Sequence, residues 1–215
     1  MGLVPAMSAW TFTATVMGGA LFGLTGKVFA LAAHRLGGWM KRVVAYPPLR
    51  PLLGGIVVAG CAMLFGADRY LGLGIPTIVD AFHKPLASYD FAAKMAFTVA
   101  SLGSGFKGGE VTPLFYIGAT LGNALAPLLH MPLGLMAGLG FVAVFAGAAN
   151  TPVASTIMAI EMFGAEVGMY AAIACVVSYL FSGPSGIYRA QRSGNGKYGQ
   201  ATTPDATRVP PRNHG

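Results

Sequence analysis

The chain alternates apolar runs with polar interruptions, and the lengths of the runs divide it into two parts. From Thr11 to Leu36 it is apolar except for Lys27. Some 26 helical residues cover about 39 Å, more than the ~30 Å hydrocarbon core, so this stretch predicts one tilted spanning helix. Tyr46-Pro47-Pro48 predicts a turn, and residues 50 to 66 a second span running back. Between 67 and 90, Asp68, Arg69, Gly72, Gly74, Pro76, Asp80, His83, Lys84 and Asp90 break the apolar character. That predicts a solvated outer loop with one short re-entrant helix. Beyond residue 90 the apolar pieces shorten, to 91–102, 113–129, 133–148, 151–164, 166–181 and 185–192. Several fall below the ~20 residues a span requires.

Three of these pieces begin alike. Thr112-Pro113, Thr151-Pro152 and Gly183-Pro184 each put proline where a helix starts, a position that needs no N–H. Short segments interrupted by Gly and Pro are the mark of discontinuous helices around an internal ion site. Backbone broken at membrane depth must face protein or a water-filled cavity, because lipid cannot satisfy it. Small residues four apart, at Gly19/Gly23, Gly118/Gly122, Gly134/Gly138 and Gly164/Gly168, predict close helix crossings. After Arg192 large apolar side chains nearly vanish, which predicts a membrane domain over 1–192 and a disordered tail over 193–215.

Composition agrees. The chain is 54% hydrophobic and 10% charged, against about 25% charged for a soluble domain, with a mean hydropathy of +0.62. This places it among integral proteins of the lipid bilayer. The net charge of +7 does not imply nucleic acid, because its positions are those of topology signals. His34, Arg35, Lys41, Arg42 and Arg50 flank one loop, and Arg189, Arg192, Lys197, Arg208 and Arg212 follow the last segment. The positive-inside rule puts both regions, and the tail, in the cytoplasm. Cys61 and Cys175 sit in separate apolar segments and read as packing residues, and the N-terminus carries no cleavable signal pattern.

The chain is organised around Gly103-Ser104-Gly105-Phe106-Lys107-Gly108-Gly109-Glu110-Val111-Thr112-Pro113-Leu114-Phe115. Four glycines permit close backbone approach. Thr112 reads as an N-cap and Pro113 as the first helical residue. Such a start aims unpaired N–H groups and a positive dipole end at an anion.

Glu110 and Glu161 are the carboxylates read at membrane depth, and each is a functional candidate for that reason. Glu110 stands where burial, the helix start and Lys107 pull its proton in opposite directions. It could equally cap the helix or pair with Lys107. Glu161, beside Phe163-Gly164, reads as satisfying backbone or a polar neighbour. Tyr188 offers a phenol donor, although a tyrosine near a helix end is often an interfacial anchor. Asn150-Thr151-Pro152 differs from a water-channel signature and has no second copy. Gly103-Ser104-Gly105 lacks the nucleophile-elbow frame and a His–acid pair at membrane depth. Histidines 34, 83, 130 and 214 lack metal spacing. No cofactor, metal or catalytic group is expected.

The run from Gly103 to Leu114, followed by Ile117-Gly118-Ala119-Thr120-Leu121-Gly122, resembles the second-half anion motif of the CLC chloride channels and transporters. There, Gly-Gly-Ile-Phe-Ala-Pro opens a helix onto the ion. The downstream order fits too: a break at Thr151-Pro152, a helix ending Ile160-Glu161-Met162, another apolar helix, and a short one carrying Tyr188. Leu49-Arg50-Pro51-Leu52-Leu53-Gly54-Gly55 fits an earlier helix start. The likeness covers about residues 10 to 192. It implies an all-α integral membrane fold with tilted and discontinuous helices, the second inverted-repeat half of a CLC-type transporter, and a homodimer in the bacterial inner membrane.

Here the motif reads Gly-Gly-Glu-Val-Thr-Pro, which looks like the fluoride-exporting branch, the fluoride/proton antiporters. By that resemblance Val111 and Thr112 line the ion path, Tyr188 donates to the central anion, Glu110 serves proton coupling, and Gly108, Gly109 and Pro113 support the helix start. The gating glutamate and Gly-Ser-Gly-type loop of the first half are absent from this sequence. The expectation is therefore a fragment exchanging F⁻ for H⁺ only with its missing N-terminal half. The alternatives are a chloride-type channel or exchanger fragment, or a non-transporting scaffold. An intramembrane enzyme is set aside, lacking a paired catalytic constellation.

Overall fold

The computed structural model describes residues 4–106, 108–183 and 186–187. Tyr188, Lys107, Pro184, Ser185 and the predicted tail lie outside the described residues. The described elements are helical: α1 (Ala9–Val43), α2 (Leu49–Phe65), α3 (Ile75–Ala81), α4 (Asp90–Gly103), α5 (Val111–Leu128), α6 (Leu133–Ala149), α7 (Pro152–Phe163) and α8 (Gly168–Phe181). Single 3₁₀ turns lie at Asp68–Tyr70 and Ala165–Val167. By length and apolar character, α1 and α5 could each cross a membrane.

A capping box starts α1. Ser8 Oγ accepts the Thr11 N–H at 3.2 Å, while the Ser8 N–H donates to Thr11 Oγ1 at 2.8 Å. The helix runs seven residues beyond the predicted Leu36, because nothing up to Val43 removes an N–H. Lys41 and Arg42 occupy its last turn, where cations suit the negative end of the dipole. Part of the predicted basic loop is thus helix. Arg50 closes the remainder, donating from Nε to the Val44 carbonyl at 2.8 Å.

The centre of the core is α6, with 14 of its 17 residues buried among α1, α5, α7 and α8. Small residues allow this. A Cβ on Gly118 would overlap the Gly140 carbonyl, one on Gly122 the Met136 carbonyl, and one on Gly23 of α1 the Ser178 carbonyl of α8. The predicted Gly164/Gly168 pair is not a crossing, since Gly164 is the C-cap of α7 with φ of 97°. It terminates a helix. At the edge, α2 leans on α4 and leaves Ile56, Val57, Met63 and Leu64 exposed. An apolar exterior of that kind is what a lipid environment tolerates.

The outer segment is less solvated than predicted. The Asp90 side chain is fully buried, and Asn123 of α5 fixes the chain before it. The Asn123 amide donates to the Ala81 and Lys84 carbonyls, each at 2.8 Å, and its oxygen accepts the Leu86 N–H at 2.9 Å. Those three bonds tie the loop down, so polar sequence there does not mean free loop.

Candidate functional site

The chain leaves α4 through Gly105, whose φ of 97° favours glycine, and enters α5 at Val111. The N-cap is Glu110 and not Thr112, and Pro113 is the third helical residue. This corrects the predicted start by two residues. Proline fits any position in the first turn, since those N–H groups have no intrahelical acceptor. The first bond that closes the turn is Leu114 N–H to the Glu110 carbonyl, at 3.2 Å. The N–H groups of Val111 and Thr112 therefore stand at the positive end of α5 with no carbonyl of their own helix to meet. Val111, Thr112 and Pro113 are half-buried, and Gly108 and Gly109 are exposed.

Two chambers flank this start. The first, about 340 Å³, is lined by His34 and Lys41 of α1, Arg50 of α2, Gly103 and Gly105, Glu110 and Ile187. A lysine, an arginine and an imidazole therefore share a cavity with one carboxyl group. The sequence suggested no His–acid pair at membrane depth, yet α1 brings His34 to the Glu110 cavity. Among the described residues its lining includes no serine, threonine or cysteine, so the pair has no nucleophile beside it. Ile187 belongs to this lining, and its N–H donates to the Ala148 carbonyl at 2.9 Å. Tyr188, the next residue, lies outside the described ones.

The second chamber, about 180 Å³, is lined by Tyr70, Gly72, Lys94, Thr98, Ser101, Gly108, Gly109 and Pro113, among others. Leu102 lines both cavities. Tyr70 and Lys94 of this lining belong to a polar cluster that is buried except for Arg69. Lys94 Nζ donates to the Tyr70 carbonyl at 2.9 Å and the Gly72 carbonyl at 2.6 Å, and sits 5.0 Å from the centre of the Tyr116 ring. Asp90 Oδ1 accepts the Tyr70 hydroxyl at 2.6 Å and the Arg69 guanidinium. Burial, then the bond to Asp90, pushes the Tyr70 hydroxyl up to about 12, so it remains a donor at neutral pH.

The sequence reading missed Asp90 and Lys94. One signal was available: Lys94, Thr98 and Ser101, at i, i+4 and i+7, form a polar stripe on an otherwise apolar helix. Glu161, a candidate by sequence, is exposed on α7 and lines neither chamber.

An all-helical chain with an apolar exterior and a helix start between charged cavities has the architecture of membrane proteins built from discontinuous helices. A family model described as "Voltage gated chloride channel" matches residues 1–183, and the chain belongs to that family. It is 57% identical over 204 residues to the "Chloride/fluoride channel protein" of Pseudomonas syringae pv. tomato, a match covering 92% of this chain and 45% of that protein. It is 31% identical over 179 residues to the "Voltage-gated ClC-type chloride channel ClcB" of Escherichia coli, covering 76% of this chain and 42% of that one. Among solved structures, a CLC-type fluoride/proton antiporter superposes with a TM-score of 0.86 at 36% identity, over 89% of this chain and 49% of that one. A slow cyanobacterial Cl⁻/H⁺ antiporter shares the fold, with a TM-score of 0.68 at 24% identity, over 84% of this chain and 44% of that one. The chain thus spans about half the length of the relatives it matches.

Proposed function

We propose that this chain is the second half of an inner-membrane fluoride/proton antiporter, a secondary transporter and not an enzyme. The observation that carries the reading is the first turn of α5. It reads Glu110-Val111-Thr112 where the chloride-type motif has Ile-Phe-Ala, and it opens beside a chamber that pairs a carboxylate with cations. The names carried by the Pseudomonas relative and the superposed antiporter support it.

In this account the Val111 and Thr112 amides and the Thr112 hydroxyl receive fluoride, a strong acceptor. Tyr188 supplies a further O–H donor. Gly108 and Gly109 form an exposed approach to the helix start, with open space around both. Glu110 carries the proton, reached through the chamber that His34 also lines. Lys41 and Arg50 raise the local concentration of anion at that mouth, and the positive-inside rule supports a cytoplasmic mouth. The other half of the ion site comes from a first half absent from these residues, and the subunit pairs as a homodimer.

The E. coli relative favours a second reading, a chloride pathway. An ion swap separates the two. A subunit that joins this chain to a first half is reconstituted in liposomes, and anion efflux is followed with fluoride or chloride as the only permeant anion. Fluoride should exit at least tenfold faster, and Thr112→Ala should slow it at least tenfold, on the scale of one lost hydrogen bond to a charged group. Equal rates for the two anions would support the chloride reading.

A further inference from the structure

We infer that the groove between the end of α1, the start of α2 and the end of α4 seats an anionic phospholipid. One acyl chain lies along Val57, and the phosphate sits beside Arg42 and Arg50. The inference requires a bilayer around the chain and does not rest on the transport reading above.

The groove begins where α1 leaves its apolar run. Leu36, Met40 and Val44 of α1 face Leu53 and Val57 of α2 and Ala100 of α4, around about 420 Å³. A crevice of about 250 Å³ continues it between α2 and α4, sharing Val57 and Ala100 and reaching Cys61 and Phe97. Leu53 to Cys61 is a rise of about 12 Å along α2, so the two make one groove running from the helix ends into the bilayer. Neither lining contains a charged side chain. Its width suits hydrocarbon. About 420 Å³ spread over the ~12 Å from Leu36 to Val44 leaves a cross-section of roughly 35 Å², under half that of a helix about 10 Å across. A methylene chain enters such a slot whole, whereas a helix could only lie over it.

The mouth sets the chemistry of the headgroup. Before Asp68 the sequence holds no Asp or Glu, yet it holds Lys27, Arg35, Lys41, Arg42 and Arg50. Arg42 stands three residues after Trp39, a lining residue, and so shares its edge of the helix. Arg50 is fixed at the mouth, with Nε donating to the carbonyl of Val44 at 2.8 Å and Nη2 to that of Ala45 at 3.2 Å. A guanidinium has five donors, so three N–H groups remain. Arg50 also lines the Glu110 chamber, but among the described residues neither Arg42 nor Arg50 forms an ion pair. Trp39 and Tyr46, 56% and 62% exposed, flank the same end, and such rings mark the boundary between hydrocarbon and headgroups. An apolar slot ending among interfacial aromatics and unpaired guanidinium groups matches a phosphate carried on an acyl chain. A zwitterionic lipid brings its own cation to that mouth and gains less.

The test is native mass spectrometry of the purified 215-residue chain in a non-ionic detergent. It is titrated with dioleoylphosphatidylglycerol and, in parallel, with dioleoylphosphatidylcholine. The glycerol lipid should half-saturate the chain at a concentration at least tenfold lower. Arg42→Gln should weaken that lipid about fivefold, the worth of one basic side chain near an anionic surface, and leave the choline lipid unchanged. Val57→Trp, which fills the groove, should weaken both at least fivefold. Met63→Trp, on the same helix but outside either lining, should weaken neither. The site is overturned if the two lipids bind within twofold of each other, or if Arg42→Gln keeps the full preference. It is equally overturned if Val57→Trp, with helix content and melting temperature unchanged, binds both lipids as the parent does. Should Val57→Trp fail to fold, Ala96→Leu, on an exposed wall of the same groove, decides in its place. The joined subunit should keep the preference. Its loss there would show that the first half covers the groove, and would overturn the lipid as its occupant.

Discussion

Asp90 and Lys94, one turn apart on α4, are both buried, and tertiary placement alone makes them so. Asp90 ends a polar segment that reads as loop, and Lys94 is a single charge inside an apolar run. What identifies them is their partners, Arg69 and the Tyr70 hydroxyl for Asp90, and two backbone carbonyls for Lys94. Because those partners come from the 3₁₀ turn and the residues after it, the pattern within α4 could suggest only the stripe. Removing the acceptor should be costly: Asp90→Ala is expected to lower stability by about 2 kcal/mol, since it leaves a buried hydroxyl and a guanidinium without their shared oxygen. Thermal unfolding in detergent checks this, and a melting temperature unchanged from the parent would contradict it. Residue type and order point to Glu110 and Thr112, and both stand at the start of α5; the roles given to them belong to the proposed function. The cap was misplaced because Thr-Pro is a strong local signal that any position in the first turn can satisfy.

At the scale of elements, the described helices follow from the apolar runs to within two or three residues, apart from α1, whose extension through Gly37-Gly38 the apolar pattern could not show. The predicted last piece, 185–192, lies outside the described residues but for 186–187. The closest crossings were partly legible. Gly118 and Gly122 do face another helix, but their partners are the Gly140 and Met136 carbonyls on α6, a register that spacing within α5 cannot supply. Gly118→Ala should push the two backbones apart and cost about 1–3 kcal/mol, as overpacking does in a dense interior. Gly60→Ala, where a Cβ meets nothing within 4 Å, should cost far less. Comparing the two melting temperatures checks the packing account, and equal shifts would refute it.

For the molecule as a whole, the chain spans about half of each relative's length, and in the proposed transporter the other half would complete the anion site. The half-exposed first turn of α5 and the exposed Gly108-Gly109 backbone need a covering partner before water is excluded from the ion. This chain alone in liposomes should therefore pass no fluoride above the leak of empty vesicles, while the joined subunit should do so. A fluoride electrode decides between these outcomes, and efflux from the chain alone would overturn the half-site account. In the proposed exchange Glu110 carries the proton. In liposomes carrying the joined subunit, an outward fluoride gradient should drive protons inward. Glu110→Gln should abolish that proton movement while fluoride still leaves, and full proton coupling retained in Glu110→Gln would contradict the account.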